Sequence, residues 1–247
     1  MSSWGASAKT PLKKKPDGYF FQPSNPDICS LLNEYFEKCL FVKQKNKTLY
    51  LQENSLESGF KLIQNIFMRP EFVEYVDMPN PYYTSFDKTV INVTGDLEFQ
   101  RNFATNLFVL RNDMRNTIQV LHEGLPDKFD VGVYIDSTKS LPIDNYISLL
   151  HKLTKGIPLQ IFIMSNNPKA IKEFQDAIVR YQLPWNLYHT GEGKQTLSKK
   201  VQAIELLSEI EIMKHARIVI CGASTSMGKF LYRICDHVDN FLGIEPL

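Results

Sequence analysis

The chain has 247 residues, 43% of them apolar, and its 28 basic against 27 acidic side chains leave a net charge of +1. That length and apolar content describe a globular protein with a real core, in one large or two modest domains. The balanced charge excludes the strong overall positive field that steers proteins onto nucleic acid, although a local basic stripe is still compatible with it.

Residues 1–25 mix Ser, Ala, Gly, Pro and Lys, and Lys9, Lys13, Lys14 and Lys15 meet no acid before Asp17. A segment this polar does not bury itself, and it reads as a flexible basic tail, either solvated or lying on an acidic partner. No apolar stretch follows its lysines, and no run in the chain approaches the roughly 18 apolar residues of a membrane span, so a cytoplasmic or other non-secretory compartment is expected. In that setting the sequons at Asn46 and Asn92 are chance. Cys29, Cys39, Cys221 and Cys235 have no Cys-x-x-Cys or zinc-like spacing and read as reduced core thiols, with no metal site.

From Pro26 the pattern is helical: Ile28, Leu31, Leu32, Tyr35, Phe36, Cys39, Leu40 and Val42 recur at three- and four-residue steps behind Asp27, a good N-cap. A strand over 48–52 follows, then a helix carrying Phe60, Ile63, Ile66 and Phe67. The stretch PEFVEYVDMPNPYYTSFD reads as loop because Pro79 and Pro81 forbid regular pairing. Residues 89–93 form a further strand, and 97–123 are helical with an interruption near Arg111 and Asn112. Gly124, Pro126 and Asp127 then mark a linker. The expected division is an N-terminal α/β lobe over 26–125 and a second lobe over 126–247.

In the second lobe the alternation is regular: strands at 130–135, 159–164, 185–188, 217–221 and about 241–244, and helices at 142–155, 168–181, 197–215 and 226–237. VGVYI, LQIFIM and RIVIC are continuous apolar runs, as expected of strands covered by helices on both faces. The expectation is an α/β chain whose C-terminal lobe is a doubly wound parallel sheet. In such sheets ligands lie beyond the carboxyl ends of the strands, at the switch in strand order. Those ends are Asp136-Ser137-Thr138-Lys139, Ser165-Asn166-Asn167, His189-Thr190-Gly191 and Gly222-Ala223-Ser224-Thr225-Ser226. The last opens a helix with hydroxyls and backbone N–H groups, a phosphate site in outline. Its plainer alternative is an N-cap formed by Ser224 or Thr225.

Taken in order, VGVYIDSTKS, LPIDNYISLL, IFIMSNNPKAIKEF and VQAIELLSEIEIMKHARIVICGASTSMGKFLYRI resemble the donor-binding half of the GDP-fucose-dependent fucosyltransferases of the α-1,6 and α-1,2 type. LLNEYFEKCLFVKQKNKTLYL and FKLIQNIF resemble that family's first helix, second strand and next helix. The resemblance implies two Rossmann-like lobes with a cleft between them, the GT-B arrangement, and a nucleotide sugar as donor substrate. It places Ser137, Thr138, Lys139, Ser165, Asn166, Glu209, Ser224, Thr225, Ser226 and Lys229 around the donor, with Glu209 matching a family aspartate that helps hold the nucleotide; without the resemblance, Glu209 reads as part of a solvated helix face beside Glu205 and Glu211.

The departures fall on the functional positions. Where the family carries a basic pair after its VGVHI-like strand, this chain has Asp136 and Ser137, and a carboxylate there repels a leaving diphosphate. The family's TDDP is Ser165-Asn166-Asn167-Pro168, and amides do not act as general bases. Its terminal arginine is Lys229, a poor substitute for a bidentate fork. Its glycine-rich first turn is SNPDICSLL, which holds no glycine. Two readings result. The first is a glycosyltransferase-like protein that has lost transfer chemistry and serves as a structural or binding subunit, with protein partners or a larger assembly. The second is an active nucleotide-sugar transferase in which Lys139 and Lys229 share the phosphate contacts. No catalytic residue is assigned. The five scattered histidines, the loop His189-Thr190-Gly191-Glu192-Gly193, the carboxylates Asp27, Asp77 and Asp87, and Tyr82 with Tyr83 form no other recognisable site.

Overall fold

A computed structural model of the chain describes residues 18–21, 28–52, 64–76, 84–85, 96–136, 141–190 and 199–244. The first half builds a parallel sheet from β1 (Gly18–Phe21), β2 (Thr48–Gln52), β3 (Val73–Val76) and β4 (Thr84–Ser85), in the order β3-β2-β1-β4. With it go the helices α1 (Ile28–Gln44), α2 (Leu97–Leu107) and α3 (Asn112–Leu121). The second half contains β5 (Val131–Ile135), α4 (Ile143–Thr154), β6 (Leu159–Ser165), α5 (Pro168–Arg180) and β7 (Trp185–Tyr188). It continues with α6 (Lys199–His215), β8 (Ile218–Cys221), α7 (Ser226–Ile234), a short 3-10 turn over Val238–Asn240, and β9 (Phe241–Gly243). Its five parallel strands lie in the order β7-β6-β5-β8-β9, so the order reverses between β5 and β8.

The apolar runs of the second half are buried as their composition requires. Val131 through Ile135 are all buried, with Val131, Val133 and Ile135 facing α4 and α5 while Tyr134 faces the other way. Gly132 lies on that second face, where a Cβ would stand 2.6 Å from Met213 Sδ, so α6 packs on the strand as closely as only glycine allows. All four cysteines are buried and none is in a disulfide. Burial pushes the thiols of Cys39 and Cys235 up, which keeps them protonated and inert.

Three expectations are corrected. The stretch expected to be tail contains β1, which lies inside the first sheet between β2 and β4. A Cβ on Gly18 would meet Thr48 O at 2.3 Å, and Phe21 is buried. Four residues are too few to show a period; partners far along the chain make them a strand. The proline-rich stretch expected to be loop contains β3 and β4; in the sequence Pro79 and Pro81 fall between those strands and so interrupt neither. The final long helix stops at Ile234 and not at 237. Lys9 to Lys15, the start of the helix placed at Phe60 and the strand placed at 89–93 lie outside the described residues. The break expected near Arg111 is real: there Arg111 N–H donates to Ile66 O and Met68 N–H to Val109 O, each at 2.8 Å, around an antiparallel bridge between Phe67 and Leu110.

The two halves share a core. One apolar cluster runs from Phe21, Leu32 and Phe36 to Phe162, Met213 and Phe230. Helix α7 is the seam, packed on α1 and α2 as well as on its own half. Contacts advance together along α1 and α7, so the two helices run parallel. Ser30 Oγ lies 3.0 Å from Ser226 Oγ, and Asn33 Nδ2 donates to Ser226 O at 2.8 Å. Further along, Arg233 donates to Asn33 Oδ1 and to Glu37 Oε1, the latter at 3.4 Å, and its guanidinium sits 4.6 Å above the Phe36 ring. At the far end Arg101 of α2 donates to the carbonyls of Tyr232 and Cys235, satisfying the last turn of α7 and complementing its dipole.

The Arg233 side chain is only 15% exposed whereas that of Glu37 is 40% exposed, so removing the guanidinium leaves more buried polar groups unmatched than neutralising the carboxylate does. Arg233→Ala is expected to destabilise the protein by about 2 kcal/mol, and Glu37→Gln by less than about 1 kcal/mol. Urea denaturation measures both, and the opposite order would mean that Arg233 does not anchor the seam.

Candidate functional site

The reversal between β5 and β8 brings two loops side by side. β5 runs out at Asp136, whose carboxylate accepts a hydrogen bond from Tyr134 Oη at 3.1 Å. The two residues share a strand face at i and i+2, so Asp136 is turned toward the α6 and α7 side of the sheet. Next to it, at the end of β6, Ser165 is buried; its hydroxyl donates to Ile135 O at 2.8 Å and accepts from Asn167 N–H at 3.1 Å. Its role is to join the ends of β5 and β6. Asn166 is exposed, and Asn167 caps α5 by accepting from Lys169 N–H at 3.1 Å, with Pro168 at the first helical position.

The loop after β8 is built around Thr225. Its hydroxyl donates to Gly222 O at 2.7 Å and accepts from Gly228 N–H at 2.9 Å, so the cap read as the plainer alternative is present and buried. Gly228 is required by this turn, because a Cβ there would lie 2.0 Å from Gly222 O. Ser224 and Lys229 are exposed, while Ser226 is half-buried against Ser30. Ser137, Thr138 and Lys139 lie outside the described residues.

Glu209 is the one expected site residue that is a buried acid, 3% exposed on α6, accepting a hydrogen bond from the Thr190 hydroxyl just past β7. The alternative of a solvated helix face is therefore overturned for Glu209. Glu205, one turn earlier, is also not exposed, and its Oε2, the Ser208 hydroxyl and His189 Nδ1 are sealed from solvent with no hydrogen-bond partner among the described residues. β7 lies two strands from β5, roughly 10 Å across the sheet. The structure thus brings Asp136, Ser165, Asn166 and the Ser224–Ser226 loop together at the central strand ends, and places Glu209 at the periphery. Ser30 and Asn33, which meet the first residue of α7 from the other half, were not among the expected site residues. They stand 196 and 193 residues away from Ser226, and no local pattern marks them. Among the described residues no three His, Cys, Asp or Glu side chains group as metal ligands, and no helix is long and apolar enough to cross a membrane.

No protein-family model matches the chain, and no curated protein matches it. Solved structures do. Fucosyltransferase NodZ from Bradyrhizobium superposes with a TM-score of 0.57 at 11% identity, covering 90% of this chain and 94% of NodZ. NodZ α-1,6-fucosyltransferase co-crystallised with GDP gives 0.60 at 11% identity over 90% and 93%. An Arabidopsis thaliana FUT1 mutant in complex with GDP gives 0.60 at 8% identity over 91% and 70%. At such identities the likeness establishes the fold: this is an α/β chain with the two-sheet GT-B architecture of the GDP-fucose-dependent fucosyltransferases.

Because Thr225 both closes the loop and caps the helix, Thr225→Ala is expected to cost about 1 to 2 kcal/mol, and Thr225→Ser, which keeps the oxygen, only a few tenths. Thermal unfolding of the pair checks this; equal losses would assign the effect to the lost methyl and not to the cap.

Proposed function

We propose that this protein keeps the fold of a nucleotide-sugar glycosyltransferase without its transfer chemistry, and works as a structural or binding subunit. The observation that carries the reading is the charge of the central strand ends. Transfer from a nucleoside diphosphate sugar requires a positive group where the diphosphate departs, and that term is usually the largest in such catalysis. Here the end of β5 is the carboxylate of Asp136, and the end of β6 is the neutral amide of Asn166. Two guanidinium groups at α7, one from α2 and one from α7 itself, are already engaged away from the loop: Arg101 on the carbonyls of Tyr232 and Cys235, Arg233 on Asn33 and Glu37. Lys229 is the exposed cation of α7 among the described residues, and a lone ammonium offers no fork.

A second reading, an active transferase with an altered donor pocket, is favoured by one specific feature. Parallel α1 and α7 begin side by side, Ser30 against Ser226, so the positive ends of two helices converge next to the loop after β8. NodZ and FUT1, whose fold this is, have been seen with GDP. In that reading Lys139 and Lys229 supply the phosphate contacts.

Calorimetry of the full chain with GDP, UDP and GDP-fucose is expected to show no affinity tighter than about millimolar, about −4 kcal/mol. Micromolar binding of any of the three would replace the first reading with the second. In the second, Lys229→Ala should abolish turnover of the donor that binds, and unchanged turnover would remove Lys229 from the phosphate site.

A further inference from the structure

Helix α6 ends at His215, and its imidazole is held from two sides. We propose that Glu211, His215 and Asp236 form a proton-operated latch that fastens the end of α6 to the segment joining α7 to β9. His215 Nδ1 lies 2.5 Å from Asp236 Oδ2, and Nε2 lies 3.2 Å from Glu211 Oε1. Carboxylates only accept hydrogen bonds, and a neutral imidazole has one N–H. Only the imidazolium therefore fills both contacts. In the neutral ring one nitrogen presents a lone pair to a carboxylate oxygen, and that contact turns repulsive. The backbone repeats the connection, since Asp236 N–H donates to Lys214 O at 2.9 Å and so closes the last turn of α6.

The charged surroundings favour the closed form. On α6 itself stand Glu211, which is half-buried, and Lys214, whose Nζ lies 3.4 Å from Glu211 Oε1. From the segment after α7 come Asp236 and, next to it, His237. From α2 comes Arg101, whose guanidinium ends on the carbonyl of Cys235, one residue before Asp236. The helix C-terminus adds its own negative field at His215. The hydrogen bond to Glu211, opposed by burial and aided by the Asp236 hydrogen bond and charge, raises His215 above its ordinary 6.5. For Glu211 burial raises the carboxyl, but the His215 hydrogen bond and the Lys214 charge outweigh it, and the net direction is down.

The sign follows by linkage. A histidine whose folded value is raised contributes stability that is complete below the unfolded value near 6.5 and is lost as pH rises through the folded value. The latch is therefore shut on the acid side and opens as pH rises through the raised folded value of His215. It sits where Arg101 closes the last turn of α7, the helix whose other end forms the loop after β8. Opening it loosens the anchor of that helix at the end remote from the loop.

The test is NMR on the full chain. The His215 ring signal is followed across about pH 5 to 9 in the wild type and in Asp236→Asn, alongside exchange of the Asp236 amide corrected for its intrinsic rate. His215 should titrate above 6.5, and lower in Asp236→Asn. Asp236 amide protection should fall by about threefold for every half unit by which the folded value exceeds the unfolded one. In His215→Gln that protection should be flat across the range. A wild-type His215 titrating at or below its ordinary value, an unmoved value in Asp236→Asn, or the same pH profile of protection in His215→Gln would overturn the latch. Should His215→Gln fail to fold, the titration of Asp236→Asn decides alone.

Discussion

The arrangement of this molecule depends on a desolvated arginine. Arg233, mostly shielded from water, must have its charge met inside the protein, and the partners it finds are Asn33 and Glu37 on α1 with the face of Phe36 beneath it. Asn33 is thereby oriented so that its amide nitrogen reaches Ser226 O. One matched charge thus sets the spacing and direction of two helices from opposite halves of the chain. It also determines where the first residue of α7 stands, and hence where the loop after β8 is held. The contact between Phe108 and Phe230, edge to face at 4.9 Å, and the Arg101 bonds at the other end of α7 complete a helix restrained along its length.

Sheet order and local charge act separately in this protein. The reversal between β5 and β8 is a property of connectivity, and it makes a crevice at the strand ends whatever side chains line it. What the crevice does is decided by the few groups that face it, because attraction or repulsion of a diphosphate at short range outweighs the remainder of the lining. Asp136, held by Tyr134, makes the end of β5 acidic, and the amides after β6 leave that strand end neutral. The converging helix N-termini work in the opposite direction. Fold and function are therefore independent questions in this chain, and a likeness of fold answers only the first.

Much of the second half was legible in the residues. Continuous apolar runs such as VGVYI and IVIC leave no alternative to strands covered on both faces, and Asn167-Pro168 and Thr225 mark helix starts by their capping chemistry. The first half was less legible for definite reasons. β1 is four residues beside a polar stretch, and β3 and β4 are short strands on either side of two prolines. Their strand character comes from the register with β2 and β1 and not from any period of their own. Glu209 was legible as a position but not as an environment: its neighbours Glu205 and Glu211 suggested a wet helix face, whereas Thr190 and the packing of α6 on β5 bury it.

The amino-acid sequence by itself determined the alternating elements of the second half, the parallel sheet, the four strand-end loops and the acidic and amide residues that occupy them, because these follow from contacts within a few residues and from the burial of apolar runs. Only the tertiary structure decided that α7 belongs to both halves, that Ser30 and Asn33 stand at its first residue, and that Glu211 and Asp236 face one imidazole. Those facts depend on residues brought together from distant parts of the chain, and the desolvation of polar groups that makes such partners necessary arises only once the chain has folded around them.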